Sequence, residues 1–208
     1  LVVVANGARS SLRDDTVQAK SIEPYPWGAL WAMVPDPERR FRGELFQVVR
    51  GTRRLIGLLP TGLGPDGRTP LVSFFFSLPA AERESFHGGD FPAWKAGVQA
   101  DHPGAGPVLD QLPGPEALLF SAYFDVSMWP WNTERVVYLG DSAHAMSPQL
   151  GQGCNLALLD AWGLAEALRG AESVPDGLYA YSRRRRWHLA WYAFITRWLT
   201  PFFQSDLT

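Results

Sequence analysis

Arg135-Val-Val-Tyr-Leu-Gly-Asp-Ser-Ala-His144, then Ala-Met-Ser-Pro148-Gln-Leu-Gly151-Gln-Gly153-Cys-Asn155, then an alanine- and leucine-rich stretch to Leu168: these residues decide the fold. An apolar run ends in Gly140-Asp141, a loop carries Pro148 and two glycines, and a helix follows. Ala157, Ala161, Leu164, Ala165 and Leu168 recur at helical spacing, and Gly170 is a stop signal. The first turn of such a helix has N–H groups with no internal partner and a positive dipole end. Gly151 and Gly153 lack side chains, so a planar ring can approach the backbone there. A carboxylate at a strand end and backbone donors at a helix start suit a hydroxylated, electron-accepting cofactor.

A second string lies about 130 residues earlier. Leu1-Val-Val-Val-Ala-Asn6-Gly7-Ala-Arg9-Ser reads as an apolar strand running into a glycine turn. A literal Gly-x-Gly-x-x-Gly also occurs, at Gly62-Leu-Gly64-Pro-Asp-Gly67, but it is not a phosphate loop. No helix pattern opens at Gly67, Pro65 has no N–H to offer, and Leu71 to Leu78 reads as another strand. The string is expected to be a hairpin loop.

Taken in order, the two strings resemble the flavoprotein monooxygenases built like p-hydroxybenzoate hydroxylase. The resemblance implies that Asp141 bonds the ribityl chain of FAD. It implies that Pro148, Gly151, Gly153 and Asn155 lie beside the flavin, and that Arg9 and Asn6 stand near the pyrophosphate. Asn6 replaces the family's usual Asp, keeping an acceptor oxygen but losing the charge. The implied fold is α/β (α+β): part of a Rossmann-like FAD domain, an inserted β-sheet substrate domain and C-terminal helices. Residues 1–20 and 127–208 would belong to the FAD domain and the helices, and 21–126 to the substrate domain. The family's own dinucleotide βαβ unit is not seen, so the chain is expected to be the C-terminal part of a longer enzyme and, alone, neither to retain FAD nor to turn over. The implied enzyme uses NAD(P)H to reduce FAD and transfers one atom of dioxygen to a small aromatic molecule, with no catalytic nucleophile from the protein. The alternatives are a flavin halogenase or reductase on the same scaffold, or a non-catalytic fragment serving as an interaction domain.

The middle of the chain carries strand patterns at Gly28 to Val34, Leu45 to Arg50, Arg54 to Leu59, Leu71 to Leu78 and Ala117 to Val126. Gly51-Thr-Arg53 is a turn between two of them. Asp90 to Ala100 reads as a helix, and residues 101 to 116, with four prolines, as a loop. Phe46, Phe74, Phe76, Phe120, Tyr123 and Phe124 are candidates to line a substrate pocket, against core packing for most of them. Near the end, Arg183 to Arg186 reads as a solvated charge run with one carboxylate partner. Trp187, Trp191, Phe194 and Trp198 share one helix face.

Composition excludes other classes. A net charge of −2 gives no basic excess for nucleic acid. A single cysteine, Cys154, rules out an internal disulfide framework and suits a reducing cytoplasm; inside its glycine turn it is expected to be a small packed residue. No apolar run reaches spanning length, leaving a surface-lying helix over 187–198 as the one membrane alternative. Self-association through the apolar surface left by the missing βαβ unit, or through that helix, is a further expectation. Asp141, Ser142 and His144 supply hydrolase triad types, but triad members come from separate segments, and His144 reads as structural. His87, His102, His144 and His188 are scattered, without metal-ligand spacing.

Overall fold

The computed structural model describes residues 1–13, 19–41 and 43–205. The chain forms two compact units, Leu1–Tyr25 with Tyr123–Thr200, and Pro26–Ala122 with Pro201–Thr208.

In the first unit the strand β1 (Val2–Val4) is a run of three valines, whose branched side chains suit an extended backbone. Its partner β7 (Val136–Tyr138, numbered in chain order after the strands below) lies parallel to it, with Val2 opposite Val136 and Val4 opposite Tyr138. Parallel strands need a long crossover, and here everything between them in sequence, including the second unit, supplies it.

The second unit holds most of a five-stranded sheet. Its strands are β2 (Ala19–Pro35), β3 (Phe46–Arg50), β4 (Arg54–Leu63), β5 (Pro70–Pro79) and β6 (Leu119–Trp129), in the spatial order β3-β4-β5-β2-β6. The β3–β4 turn falls on Gly51-Thr-Arg53, with Gly51 at φ +58°. The β4–β5 connection is the Gly62–Gly67 string. Asp66 closes it by accepting from the N–H groups of Arg68 and Thr69 at 2.9 Å and from the Thr69 hydroxyl at 2.5 Å. Those bonds hold the Asp66 carboxyl down at about 2. The string is a hairpin loop, as its Pro65 and missing helix require.

Side chains of β5 alternate across the sheet. Val72, Phe74, Phe76 and Leu78 enter the core with Leu30, Ile56 and Leu58. That core is capped by α1 (Arg83–His87), α2 (Phe91–Asp101) and α3 (Gly106–Leu109). Asp90 caps α2 by accepting from the Ala93 N–H at 2.9 Å. Trp94 meets Phe74 and Phe76 edge-on at 6.1 and 5.3 Å. Phe74 and Phe76 are therefore core residues and not pocket lining; Phe120 also packs against this core, while Phe46 is exposed on the outer strand. Residues 101–116 are not a plain loop either. Two single turns and α3 form there, with prolines at the first helical positions, where a missing N–H costs nothing.

The first unit is completed by α4 (Asp141–His144), α5 (Gly153–Arg169) and α6 (Val174–Phe203). The buried residues of α5 are Leu156, Asp160 and Leu164, and those of α6 include Leu178, Tyr181, Arg185 and Leu189. Arg185 is only 7% exposed. The arginine run is thus not wholly solvated: one member is turned inward, and its carboxylate partner, Asp160, is buried with it.

Candidate functional site

β7 runs into Gly140, whose φ of +54° and ψ of −140° only glycine adopts without strain. A Cβ at this position would stand 2.9 Å from the Ala157 Cβ, so the strand end and the N-terminal part of α5 are in direct contact. Beneath that contact lies a buried polar cluster. Asp160 accepts from the Gly140 N–H at 2.9 Å and from Arg185 Nε at 2.8 Å, and pairs with His144 Nε2 at 2.5 Å. Burial alone would raise the Asp160 carboxyl. The bond and charge of His144, with the Gly140 N–H and Arg185, outweigh burial and hold it below the usual carboxylate range. Arg185 Nη1 also donates to His188 Nδ1 at 2.6 Å. Burial, then the guanidinium charge, lowers the His188 pKa against the pull of Asp160.

The N-terminal loop is fixed to the same turn. Ser142 Oγ lies 2.7 Å from the carbonyls of both Val4 and Leu139. The buried Arg13 donates to the Ser142 carbonyl at 2.8 Å and to that of Ala8. Tyr138 OH donates to the Leu12 carbonyl at 2.7 Å. The strings around Gly7 and Asp141 are therefore joined edge to edge.

Between them opens a cleft of about 430 Å³ lined by Ala5, Gly7, Leu139, Gly140, Asp141, Gly153, Cys154, Ala157 and Ala161. Asp141 is exposed there. No side chain caps the start of α5, so its first N–H groups are left without helical partners. Of the residues expected at the site, Asp141 and Gly153 line this cleft. Pro148, Gly151 and Asn155 belong to the turn and the helix start beside it. Gly151 ends a single 3-10 turn at φ +61°, and the Asn155 amide donates to Gln152 Oε1 at 3.1 Å. Asn6 is exposed, and Arg9 lies with its guanidinium 5.5 Å over the Phe124 ring. Cys154 is exposed at the cleft and not packed. Ala157 and Ala161 face the cleft; the core face of α5 is Leu156, Asp160 and Leu164.

Next to Pro148, Gln149 Nε2 donates to Tyr25 OH at 3.3 Å, and the rings of Tyr25 and Tyr123 lie 6.4 Å apart. Burial raises the Tyr25 hydroxyl pKa, opposed by bonds with Thr200, Gln149 and Ser147 and reinforced by Asp125. Sequence reasoning missed Arg13, Tyr25, Asp160 and Arg185. A signal existed for two of them. Asp160 sits between Leu156 and Leu164 at steps of four, and Arg185 between Tyr181 and Leu189 at the same step, so both fall on apolar helix faces.

Residues 125–193 match the FAD binding domain family. A 2-heptyl-3-hydroxy-4(1H)-quinolone synthase of Pseudomonas aeruginosa is 33% identical over 166 residues, which are 79% of this chain and 42% of that protein. Over this part of its length the chain is similar to FAD-dependent monooxygenases. Another relative, a probable 2-heptyl-3-hydroxy-4(1H)-quinolone synthase of Rhodococcus erythropolis, is 27% identical over 196 residues, 89% of this chain and 47% of that one. The chain therefore spans less than half the length of these relatives. Solved monooxygenases share the fold. Pseudomonas aeruginosa PqsL in complex with 2-aminobenzoylacetate gives a TM-score of 0.75 at 22% identity, over 96% of this chain and 55% of PqsL. A tetrameric 2-methyl-3-hydroxypyridine-5-carboxylic acid oxygenase gives 0.73 at 22% identity, over 97% of this chain and 55% of the oxygenase. FAD is the cofactor of this family, and the donor set at the cleft suits a flavin: an exposed carboxylate for hydroxyls, a glycine-lined wall, and an uncapped helix start for electron-rich oxygen.

Proposed function

We propose that this chain carries the ribityl-and-ring part of the flavin site in an NAD(P)H-dependent monooxygenase acting on a small aromatic molecule. The observation that carries the reading is the single cleft that brings together Gly7, Gly140-Asp141 and the uncapped start of α5. FAD, when bound, supplies the redox chemistry; the protein supplies placement and electrostatics. Asp141 accepts hydrogen bonds from ribityl hydroxyls. Gly151, Gly153 and Asn155, with the first N–H groups of α5, receive the oxygen-rich edge of the ring, where the helix dipole favours negative charge. Pro148 shapes the turn on which the ring rests. Arg9 and Asn6, on the exposed loop after β1, serve the pyrophosphate side.

Unit 26–122 supplies the substrate layer of the enzyme, and Tyr25, Tyr123 and Phe124 give the Pro148 turn aromatic neighbours. The relatives named for quinolones support an aromatic substrate, and the tetrameric oxygenase supports a homo-oligomer. The one cysteine, free and exposed, is in keeping with a reducing cytoplasm.

Riboflavin carries the ring and the ribityl chain, whereas lumiflavin lacks the chain. Titrated into the 208-residue protein and followed by flavin fluorescence, riboflavin is expected to bind more tightly than lumiflavin. Asp141→Ala removes a charge-assisted bond of about 1.5–3 kcal/mol, a loss of roughly tenfold to hundredfold in riboflavin affinity. Equal affinity of wild type and variant, or no preference for riboflavin, would overturn the assignment.

A further inference from the structure

Among the described residues, no helix is long and apolar enough to cross a membrane, yet α6 presents an aromatic face to solvent. Trp187, Trp191, Phe194 and Trp198 are each between 60 and 76% exposed. At 100° per residue they fall within an arc of about 60° and extend for roughly 17 Å along the helix. Their surroundings are cationic. From Gly177 to Thr200 the helix has five arginines and no Asp or Glu. Of those five only Arg185 is consumed by the buried cluster, while Arg183, Arg184, Arg186 and Arg197 are exposed. Among the described residues, the one ion pair any of these four makes is that of Arg197 with Asp125, at 4.0 Å. Arg186 lies 4.9 Å over Trp129 and 5.4 Å over Trp187. Together with Arg183 it lines a recess of about 420 Å³ between those two tryptophans.

We infer that this face is a docking surface for an anionic phospholipid bilayer, with α6 lying in the plane of the headgroups. Tryptophan prefers that zone of intermediate polarity, and an arginine-rich helix with one aromatic face is the composition of an interfacial anchor. The recess between Trp129 and Trp187 offers Arg183 and Arg186 to a lipid phosphate. A second copy of the chain fits less well. An isologous pairing of two such stripes would set the arginines of one copy against those of the other, with Asp125 alone among the described residues paired to one of them. The inference does not rest on flavin binding.

The purified chain is mixed with vesicles of phosphatidylglycerol and phosphatidylcholine, or of phosphatidylcholine alone, and separated by flotation. Wild type is expected to float with the anionic vesicles at low salt and to be released by high salt. Its tryptophan emission should shift to the blue and be quenched by brominated acyl chains. Arg183→Gln with Arg184→Gln weakens binding roughly thirtyfold, from about fivefold per arginine near a charged surface. Trp191→Ser with Trp198→Ser removes most of the quenching, and as all four side chains are exposed the helical circular dichroism should be unchanged. If the tryptophan pair unfolds the protein, the arginine pair alone decides. Any of three results would overturn the inference: no flotation with anionic vesicles at low salt, equal binding to neutral vesicles, or a solution dimer that Trp191→Ser with Trp198→Ser converts to monomer.

Discussion

Asp160→Ala tests the centre of the structure. Asp160 is fully buried, and its two oxygens serve three donors: Arg185 Nε at 2.8 Å, the Gly140 N–H at 2.9 Å and His144 Nε2 at 2.5 Å. Removing the carboxylate leaves the Arg185 charge almost without solvent, and breaking one side of a buried pair costs about 3–5 kcal/mol. In a domain of this size each kcal/mol lowers Tm by about 2–4 °C, so the drop should be roughly 6–20 °C. Asp160→Asn keeps an acceptor for Gly140 and should fall between wild type and alanine. Asp160→Leu with Arg185→Leu removes both charges together and should recover much of the loss, because well-packed apolar replacements of buried pairs are often neutral. Urea unfolding followed by circular dichroism supplies the free energies. An alanine variant within about 1 kcal/mol of wild type would mean that the cluster behaves as a surface pair, and the account of the turn would fail.

Three further outcomes follow from the same geometry. Gly140→Ala should cost about 1–3 kcal/mol from backbone strain, with further loss from the Ala157 contact; an unchanged urea midpoint would refute the packing of β7 against α5. The Asp160 carboxyl is depressed from its ordinary 3.8, so its contribution is complete above that value and lost as pH falls through the lower folded value. The unfolding midpoint should therefore drop steeply below about pH 3.8, and an Asp160→Asn variant should lose part of that slope. Phe74→Ala should destabilise by about 3–5 kcal/mol, measured by urea unfolding, since Phe74 lies in the sheet core against Trp94; a surface-sized effect would return it to a pocket wall.

The sequence made some of this legible and hid the rest for reasons of distance and chemistry. Alternating branched and aromatic residues identified β3 and β5 nearly to their ends and the start of β4, because each pairs with a near neighbour through a short turn; β4 runs on past Leu59 to Leu63. β2 begins well before Gly28, at Ala19. Pro24 and Pro26 lie in this first part, ahead of the stretch from Trp27 to Pro35 that pairs with β5. The turns of 101–116 were hidden by prolines that start helices as readily as they end them. At the cleft, Gly140, Asp141 and the glycines around α5 could be read because local backbone geometry demands them. Asp160 and Arg185 could be flagged only as polar residues on apolar helix faces, and Arg13 and Tyr25 not at all, because their roles come from partners on other elements. A buried arginine is indistinguishable by composition from the three solvated ones beside it.

The parallel pairing of β1 with β7 also bears on how the chain folds. The bonds that fasten this interface join residues 126 to 138 positions apart. The hairpins of the second unit close over a few residues. Contacts of such separation demand loop closure before they return any stabilisation, so the hairpin sheet orders early and the β1–β7 seam forms late. Interactions absent from the transition state govern the rate of opening. The seam around Val4, Ser142 and Arg13 should therefore set how long the cleft stays assembled, while the sheet sets how quickly the chain first becomes compact.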